Sequence, residues 1–240
     1  MIEVRNISKV FRIPHAKKKT LFHNLVSVAT RRFDYEEFYA LSDVSFRVRQ
    51  GEFIGIIGSN GSGKSTLLKI LSKIYQPTLG EVIVRENLFP LLELGVGFQS
   101  DFSVRDNIFL YGALLGFSRA VMSKKLDEIL AFAELERFAD AKLEKLSTGM
   151  QMRLGFSIAI QSVAPIMLVD EVLAVGDFSF IEKCFKVFTD FKRQGVTVLF
   201  VSHDLGSVRN ICDRVIVLSN GKIINQGDAE SMINFYTSQN

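Results

Sequence analysis

The sequence predicts an α/β fold in which a parallel sheet carries an antiparallel β region at the N-terminus and an inserted block of helices. Three observations predict it. The chain begins with segments that alternate apolar and polar residues, later apolar strands alternate with helices, and residues 102–160 have a helical pattern throughout. Strands that alternate with helices are typical of a parallel sheet. The all-helical block is therefore interpreted as an insertion into that sheet.

The antiparallel region is predicted at residues 2–11 and 41–49, whose alternation is typical of half-buried strands. Between them, residues 13–38 are interpreted as a loop insertion. This segment carries basic runs at 17–19 and 31–32 around a short apolar stretch. A lid or a basic amphipathic piece that touches a membrane or a partner would have this composition. A solvated surface loop with a short packed helix is the favoured interpretation.

The parallel sheet begins with the apolar run Phe53–Ile57, which leads through a loop into a helix predicted at 64–74. The helical block is expected to break at 116–118 and at 142–145. Four further strands are predicted at residues 166–170, 196–201, 214–218 and 222–226, with an Asn220-Gly221 hairpin turn between the last two. These elements make one domain, with an α/β core at about 1–100 and 160–240 and a helical subdomain at about 101–159.

Composition narrows the class of protein. The chain has 240 residues, enough for one sizeable core, and 21 Phe with no Trp suggest an apolar contact surface. No run of about 18 uncharged apolar residues exists, so no membrane span is predicted, and the first residues lack an apolar signal region, which argues against secretion. A net charge of +3 is too small to indicate a nucleic-acid partner. Cys184 and Cys212 have no metal or redox spacing and are predicted to be reduced thiols in the core of a cytosolic protein.

Residues 58–66 match the phosphate-loop (Walker A) pattern G-x-x-x-x-G-K-[ST]. Its glycines let successive N–H groups turn toward phosphate oxygens, and the N-terminus of the next helix adds partial positive charge. Lys64 is predicted to reach the β and γ phosphates and Ser65 to hold Mg²⁺. With a strand before it and a helix after it, the motif predicts a P-loop NTPase (RecA-like) core. The predicted nucleotide-binding residues of this loop are Ser59, Asn60, Gly61, Ser62, Gly63, Lys64, Ser65 and Thr66.

Two later strands end in polar residues that suit the same chemistry. Asp170 and Glu171 follow the strand at 166–169, where a parallel sheet binds ligands at its carboxyl edge. Asp170 is predicted to be a Mg²⁺ partner, and Glu171 to polarise the water that attacks the γ-phosphate. His203 follows the next strand and is predicted to donate a hydrogen bond to that phosphate.

A serine and a glycine open a helix between these elements, in the sequence Leu-Ser-Thr-Gly-Met-Gln-Met-Arg-Leu at 146–154. Ser147 as N-cap and Gly149 in the first turn present a hydroxyl and free N–H groups to an anion. The chain cannot deliver this contact to its own nucleotide. The arrangement therefore predicts a dimer with nucleotide in the seam.

With these four elements in order, the chain resembles the nucleotide-binding subunits of ABC transporters over essentially its whole length. Residues 146–150 are similar to the family's L-S-G-G-Q signature, with departures at Thr148 and Met150. The resemblance implies that ATP and Mg²⁺ bind, and that Ser147 and Gly149 contact the γ-phosphate of ATP held by a second copy. Asp177 matches the D-loop aspartate by its distance from Glu171.

Gln99 occupies the family's Q-loop position, in Gly-Val-Gly-Phe-Gln at 95–99. The resemblance implies that it touches Mg²⁺ or the attacking water. The spacer between Gln99 and Ser103 is shorter than the family's usual one, so a surface polar residue is the competing interpretation. The resemblance also implies that a groove near 102–117 receives a helix of an integral-membrane subunit.

An aromatic ring is expected to stack on the adenine, and there are two candidates. Phe11 matches the family position by the strand before it, whereas Tyr39 matches by its closeness to Ala40-Leu41. Stacking contributes about 1 kcal/mol in either case. The choice leans slightly to Tyr39.

Three stretches resemble the ATPases of polysaccharide exporters that serve O-antigen, capsule or teichoic acid: residues 91–98, the Ser-x-Gly-Met-x-x-Arg-Leu of the signature, and 170–177 followed by Cys184. The resemblance implies an ATPase on the cytoplasmic face of the membrane, peripheral to it, that drives export of a lipid-linked polysaccharide. Its partners would be a second copy and a membrane subunit, and not nucleic acid. Many O-antigen members carry a further carbohydrate-binding domain, so a short or truncated form is expected here.

Two other functions compete with this interpretation. A soluble ABC ATPase of translation or DNA maintenance usually has two cassettes or a long coiled coil before the signature, and neither pattern is present. An exporter of drugs, lipids or peptides would share the same ATP-binding residues, since none of them need touch cargo.

Overall fold

The computed structural model describes residues 1–14, 35–92, 94–162, 164–170 and 177–239. Nine strands are assigned in this part of the chain: β1 (Ile2–Pro14), β2 (Tyr35–Val48), β3 (Phe53–Ile57), β4 (Leu79–Val84), β5 (Leu88–Leu91), β6 (Ile166–Asp170), β7 (Thr197–Val201), β8 (Arg214–Ser219) and β9 (Lys222–Asp228).

Seven α-helices are assigned in the same ranges: α1 (Lys64–Leu71), α2 (Val104–Leu114), α3 (Arg119–Ala133), α4 (Thr148–Ala159), α5 (Phe178–Arg193), α6 (Leu205–Ile211) and α7 (Ala229–Gln239). Two short 3₁₀ turns, Glu136–Phe138 and Leu143–Lys145, lie between α3 and α4.

The larger sheet has six strands in the order β5-β6-β7-β3-β8-β9. The first five are parallel and β9 returns antiparallel to β8. Strands β3 and β7 are buried along their whole length, which explains their uninterrupted apolar sequences. The predicted α/β class with a parallel core is confirmed.

A three-stranded antiparallel sheet, in the order β2-β1-β4, packs on one face of this larger sheet together with α1. Helices α5, α6 and α7 pack on the other face, around Phe180, Phe188 and Phe200. The structure therefore has a central parallel sheet covered on both sides, and its carboxyl edge is left for the loops.

Strands β1 and β2 are longer than the alternation predicted. Phe11 pairs with Phe38 and Pro14 with Tyr35, so both ends of the predicted 13–38 loop insertion are strand instead of loop. The extension escaped sequence reasoning because its side chains are mostly exposed on both faces and leave no burial periodicity. The predicted short helix and the two basic runs fall within 15–34, outside the described residues.

The helical block consists of α2, α3 and α4 around an apolar cluster that includes Ile108, Ile129 and Leu154. Its predicted breaks are confirmed. Gly116 has a φ of 90° between α2 and α3, and the turn Leu143–Lys145 precedes α4.

Two smaller expectations can be checked directly. Cys184 and Cys212 are free thiols, 1% and 7% exposed, so the predicted core placement is confirmed. Helix α1 ends at Leu71, three residues before its predicted end, because Lys73 adopts a left-handed φ of 60°. Within the described ranges, no helix is both long and apolar enough to span a bilayer.

Candidate functional site

The phosphate loop connects β3 to α1 and is held from two sides. A methyl group on Gly58 would lie 2.1 Å from the carbonyl oxygen of Leu218, and one on Gly63 would lie 2.6 Å from that of Ala40. The N–H of Gly221 also donates to the carbonyl of Ser62 at 2.9 Å. These close approaches require glycine at both positions and fix the loop against β2 and the β8–β9 turn.

Lys64 is the first residue of α1 and is only 7% exposed. Its Nζ donates to the carbonyl oxygens of Gly58 at 2.7 Å and Ser59 at 3.0 Å. The ammonium group is thus held inside the curve of the loop, where a phosphate group would be its natural counter-ion.

A cavity of about 410 Å³ opens over this loop. It is lined by Gly61, Lys64 and Ser65 of the loop and α1, by Ala40 at the buried part of β2, and by Asp170 at the end of β6. The lining combines backbone N–H groups, a cation, hydroxyls and one carboxylate, which is the set that a nucleotide with a divalent cation requires. Asn60, Gly63 and Thr66 complete the predicted residues on this lining.

Ser59 and Ser62 belong to the loop but do not line the cavity. Ser62 is 2% exposed, and its Oγ has no hydrogen-bond partner among the described residues. Such an orphaned hydroxyl inside a phosphate loop is expected of a loop whose polar groups are shared with a ligand.

Asp170 ends β6 and His203 follows β7, and these strands are neighbours with Asp170 paired to Val201. Both residues therefore lie at the same edge of the sheet as the phosphate loop. His203 is exposed in a tight turn that Asp204 stabilises, since Asp204 accepts from the N–H groups of Gly206 and Ser207 and from the Ser207 hydroxyl. The Ser207 hydroxyl bond, ahead of the two N–H bonds, lowers the pKa of Asp204 despite its partial burial. Glu171 lies outside the described residues.

Ser147 is the N-cap of α4 and accepts from the N–H of Met150 at 3.3 Å. A methyl group on Gly149 would have only Ser147 Oγ near it, at 4.0 Å. The first turn of α4 is therefore open to solvent and can accept an anion from outside the chain. Neither residue lines the cavity above the phosphate loop.

Asp177 is the N-cap of α5, accepting from Phe180 N–H at 3.1 Å and from Ser179 Oγ at 2.8 Å. It also accepts a 2.8 Å ion-pair hydrogen bond from Arg153 of α4. These bonds, the one from Ser179 first, lower the pKa of Asp177 to about 2. Asp177 thus stays ionised at neutral pH and ties the start of α5 to the helix that begins at Ser147.

Arg153 is the residue that sequence reasoning missed as a site element. Its guanidinium binds Asp177 with one nitrogen and Glu134, the C-cap residue just after α3, with the other at 3.0 Å. It also lies 5.1 Å above the ring of Phe180, and Lys183 binds Glu134 at 2.5 Å. The available signal was that Arg153 is the one charged residue in the sequence of α4.

Gln99 is exposed and does not line the cavity. Its backbone is fixed by the fully buried Asn107, whose Oδ1 accepts from Gln99 N–H at 2.7 Å and whose Nδ2 donates to Gln99 O at 3.0 Å. Its side chain donates to Gly97 O at 3.4 Å. The backbone of Gln99 is therefore fixed, but its side-chain amide does not join Asp170 and Ser65 on the lining of the cavity.

Phe11 and Tyr39 lie on opposite faces of the β1–β2 ribbon. Phe11 pairs with Phe38, the neighbour of Tyr39, and adjacent residues of a strand point to opposite faces. The ring of Phe11 packs edge-on against Tyr75, 5.7 Å away, just after α1. The ring of Tyr39 is 56% exposed, with its hydroxyl 3.4 Å from Glu37. Neither ring lines the cavity above the phosphate loop, and because the two rings lie on opposite faces of the ribbon, the choice between them stays a prediction.

The geometry thus unites the phosphate loop with Asp170, and it places Ser147 and Asp177 on a separate, outward-facing surface. Comparison with known proteins decides the family. A sequence profile described as ABC transporter matches residues 41–174, more than half of the chain. The chain belongs to the ABC transporter family. The ABC fold accounts for the combination of sheets, phosphate loop and helical block described above.

Named relatives of this ABC protein are similar over most of its length. It is 39% identical to the ABC transporter protein AbcA of Aeromonas salmonicida over 98% of the chain and 75% of that protein. It is 38% identical to the O-antigen export system ATP-binding protein RfbB of Klebsiella pneumoniae over 98% of the chain and 97% of the relative. The teichoic acids export ATP-binding protein TagH of Listeria innocua is 38% identical over 84% of the chain, which spans 60% of TagH.

Solved structures show the same fold. The ATP-binding cassette MJ0796, solved as a dimer in a post-hydrolysis state bound to ADP and Pi, superimposes with a TM-score of 0.74 at 26% identity, covering 95% of this chain and 99% of that one. A second dimeric structure of the same cassette gives 0.73 at 27% identity. The protein is therefore an ABC ATP-binding subunit with the cassette fold.

Proposed function

We propose that this chain hydrolyses Mg-ATP as a dimer on the cytoplasmic face of a membrane and thereby powers export of a lipid-linked polysaccharide. The observation that carries the proposal is the 38% identity to an O-antigen export ATP-binding protein across 97% of that protein's length. Two further relatives, named for O-antigen export and for teichoic acid export, match 83% and 84% of this chain. The cargo class follows from these names, while the chemistry follows from the site.

ATP would lie in the 410 Å³ cavity with its phosphates over the phosphate loop. Lys64 would exchange the carbonyl oxygens of Gly58 and Ser59 for phosphate oxygens, a short movement because the ammonium group already lies within the loop. The buried Ser62 hydroxyl and the N–H groups at the start of α1 would add donors. The ring of Phe11 would stack on the adenine.

Mg²⁺ fits the residues that line the cavity. The Ser65 hydroxyl and the Asp170 carboxylate are hard oxygen donors, which Mg²⁺ prefers, and both face the same space. When bound, the ion would neutralise charge on the β and γ phosphates. Gln99 would touch the ion or the attacking water only after its side chain leaves the carbonyl of Gly97.

Hydrolysis would need groups around the γ-phosphate from two strand ends. Glu171, next to Asp170 in the chain, would accept a hydrogen bond from the attacking water, and His203 would donate one to the γ-phosphate. The turn that Asp204 stabilises would keep His203 at the carboxyl edge of β7.

The outward-facing surface would complete the site of a second copy. Ser147 and Gly149 open α4 toward solvent and would contact the γ-phosphate held by the other phosphate loop, with Asp177 beside them. A groove near Phe102 and Leu114, which are 50% and 61% exposed, would receive a helix of the membrane subunit. Closure and reopening of the dimer would move that helix.

The test is purification of the chain from detergent-solubilised membranes with the integral-membrane protein that co-purifies with it, followed by mass spectrometry of bound lipid. We expect a stable complex that retains a lipid-linked polysaccharide and releases it with ATP, whereas a Lys64→Ala complex retains it. A complex that carries no glycolipid and whose ATPase responds to another substrate would contradict the proposed cargo.

A further inference from the structure

A second cavity, of about 410 Å³, lies on the side of the sheet away from the nucleotide site. Its floor is apolar: Phe53 from the start of β3, Phe185 and Phe188 from α5, and Ile211 from the end of α6. It equals the nucleotide cavity in volume and lies within the range of small-molecule sites. Its lining residues are different from those of the nucleotide site.

The floor of this cavity is rigid. Phe188 contacts Phe191, Phe200 and Phe156 at ring distances of 5.9, 6.4 and 6.5 Å, so its ring is fixed by the core. Asp213 fixes the start of β3 by accepting the N–H of Phe53 at 3.0 Å. The apolar surface is therefore formed before any ligand arrives, which lowers the entropic cost of binding.

The rim carries two cationic side chains, each paired with an acidic residue beside the cavity, and in the described part of the chain no acidic residue lines the cavity itself. Lys192 and Arg193 of α5 are the charged residues of the lining, beside the neutral Thr189 and Asn210. Lys192 is already paired with Asp213 at 2.5 Å. Arg193 is 76% exposed, and among the described residues it pairs with Asp190 at 3.3 Å, a surface contact of little energy that an incoming anion can replace.

From this geometry we propose that the second cavity binds an amphipathic anion, with a ring system or short acyl chain on the phenylalanines and the anionic head beside Arg193. A ring-containing anion and an acyl anion both have the chemistry that the site recognises, which is an apolar group joined to one negative charge. The site lies near the amino end of β3, while the phosphate loop follows the carboxyl end of that strand, about 15 Å away by strand rise. The ligand and ATP would therefore bind together.

The experiment uses the full chain and the fluorescent anion anilinonaphthalene sulfonate, titrated with saturating Mg-ATP present so that the nucleotide cavity is filled. We expect saturable binding to one site. Thr189→Trp, which puts an indole on the rim, is expected to abolish it. Arg193→Glu should raise the Kd about threefold or more, the size of a surface charge contact. Octanoate should displace the probe, as an acyl anion.

Lys186→Glu is the matched control, because Lys186 is an exposed cation on the same helix that does not line the cavity. It should leave the Kd unchanged. The neutral probe phenylnaphthylamine should bind more weakly than the sulfonate and be indifferent to Arg193→Glu. Equal effects of the 186 and 193 variants, or undiminished binding to Thr189→Trp, would each overturn the proposal. Circular dichroism of each variant separates these outcomes from loss of folding.

Discussion

At the residue scale, Arg153 has the most consequential contacts outside the phosphate loop. From the middle of α4 it binds the residue that caps the end of α3, Glu134, and the residue that caps the start of α5, Asp177. Its side chain is only 15% exposed, so its two ion pairs are shielded better than most surface pairs. We interpret it as a positioning residue that acts through Asp177.

Arg153→Met should lower kcat for ATP about tenfold with little change in KM, because misplacement of Asp177 affects the seam and not the chain's own phosphate loop. Lys183→Met, which removes the Glu134 contact on the far side of the network, should change kcat less than twofold. In an Asp177→Asn background the Arg153 substitution should have no further effect. Steady-state kinetics of the double-mutant cycle measure this, and additive losses would show that Arg153 acts independently of Asp177.

The two aromatic candidates also separate at this scale. Phe11→Ala should raise the KM for ATP about fivefold, the loss of roughly 1 kcal/mol of stacking, whereas Tyr39→Ala should change it less than twofold. Phe11→Tyr should preserve the wild-type value. Equilibrium titration with a fluorescent ATP analogue provides the binding constant directly. The opposite ranking of the two alanine variants would assign the adenine to Tyr39.

The buried thiols predict a pH dependence. Burial raises the pKa of Cys184 and Cys212 to about 12, above the roughly 8.5 of an unfolded cysteine. Because the pKa of each thiol is higher in the folded protein than in the unfolded chain, the contribution of the thiol to the free energy of unfolding is fully present below the unfolded pKa. That contribution is lost as the pH rises toward 12. The free energy of unfolding should fall above about pH 9, by up to about 1.4 kcal/mol per pH unit for each thiol. Urea titrations should show a steeper fall above about pH 9 for wild type than for the Cys184→Ala/Cys212→Ala variant, in which the buried Tyr111, whose pKa is also raised, still contributes.

At the element scale, the glycines of the phosphate loop are required for different reasons, some for lack of space and others for their backbone conformation. Gly58→Ala should cost about 3 kcal/mol or more, since its methyl group would lie 2.1 Å from the Leu218 carbonyl oxygen. Gly61→Ala should cost only about 1 kcal/mol, because its methyl group meets nothing within 4 Å and the penalty is that of its φ of 79°. Urea unfolding of both variants checks this. Equal losses would mean that backbone conformation alone fixes the loop.

The elements that sequence reasoning predicted well are those whose burial leaves a pattern. The predicted bounds match those of strand β6 and differ from those of β7 by one residue, because each has an apolar run of four residues that a polar residue, Asp170 or Ser202, follows. Strands β4 and β5 were missed: β4 is partly exposed, and β5 has only four residues and a proline. Their pairing depends on distant partners, β1 and β6, that local periodicity does not reveal.

The candidate site divides in the same way. Lys64, Asp170 and Ser147 were identified because strand ends and caps leave local signatures. The Arg153 network and the opposite orientation of Phe11 and Tyr39 depend on contacts between residues 19 or more positions apart in the chain. Such contacts follow from the packing and the strand register, which a single sequence specifies only through the whole fold.

At the scale of the whole molecule, the groups expected to bind one ATP lie at two separate places on the chain. The phosphate loop and Asp170 line a cavity, while Ser147 and Asp177 face outward with no role in that cavity. One related cassette, MJ0796, aligned at 26–27% identity, was solved as a dimer in two structures. The central claim is that each ATP is enclosed by two copies.

Glu171→Gln tests this claim most directly, because it should block hydrolysis without weakening ATP binding. Light scattering with size exclusion at saturating Mg-ATP should give twice the 27.0 kDa of one chain. With ADP, or with Ser147→Arg added, it should give a single chain. A single-chain mass for Glu171→Gln, with bound ATP verified on the same sample, would contradict the shared site.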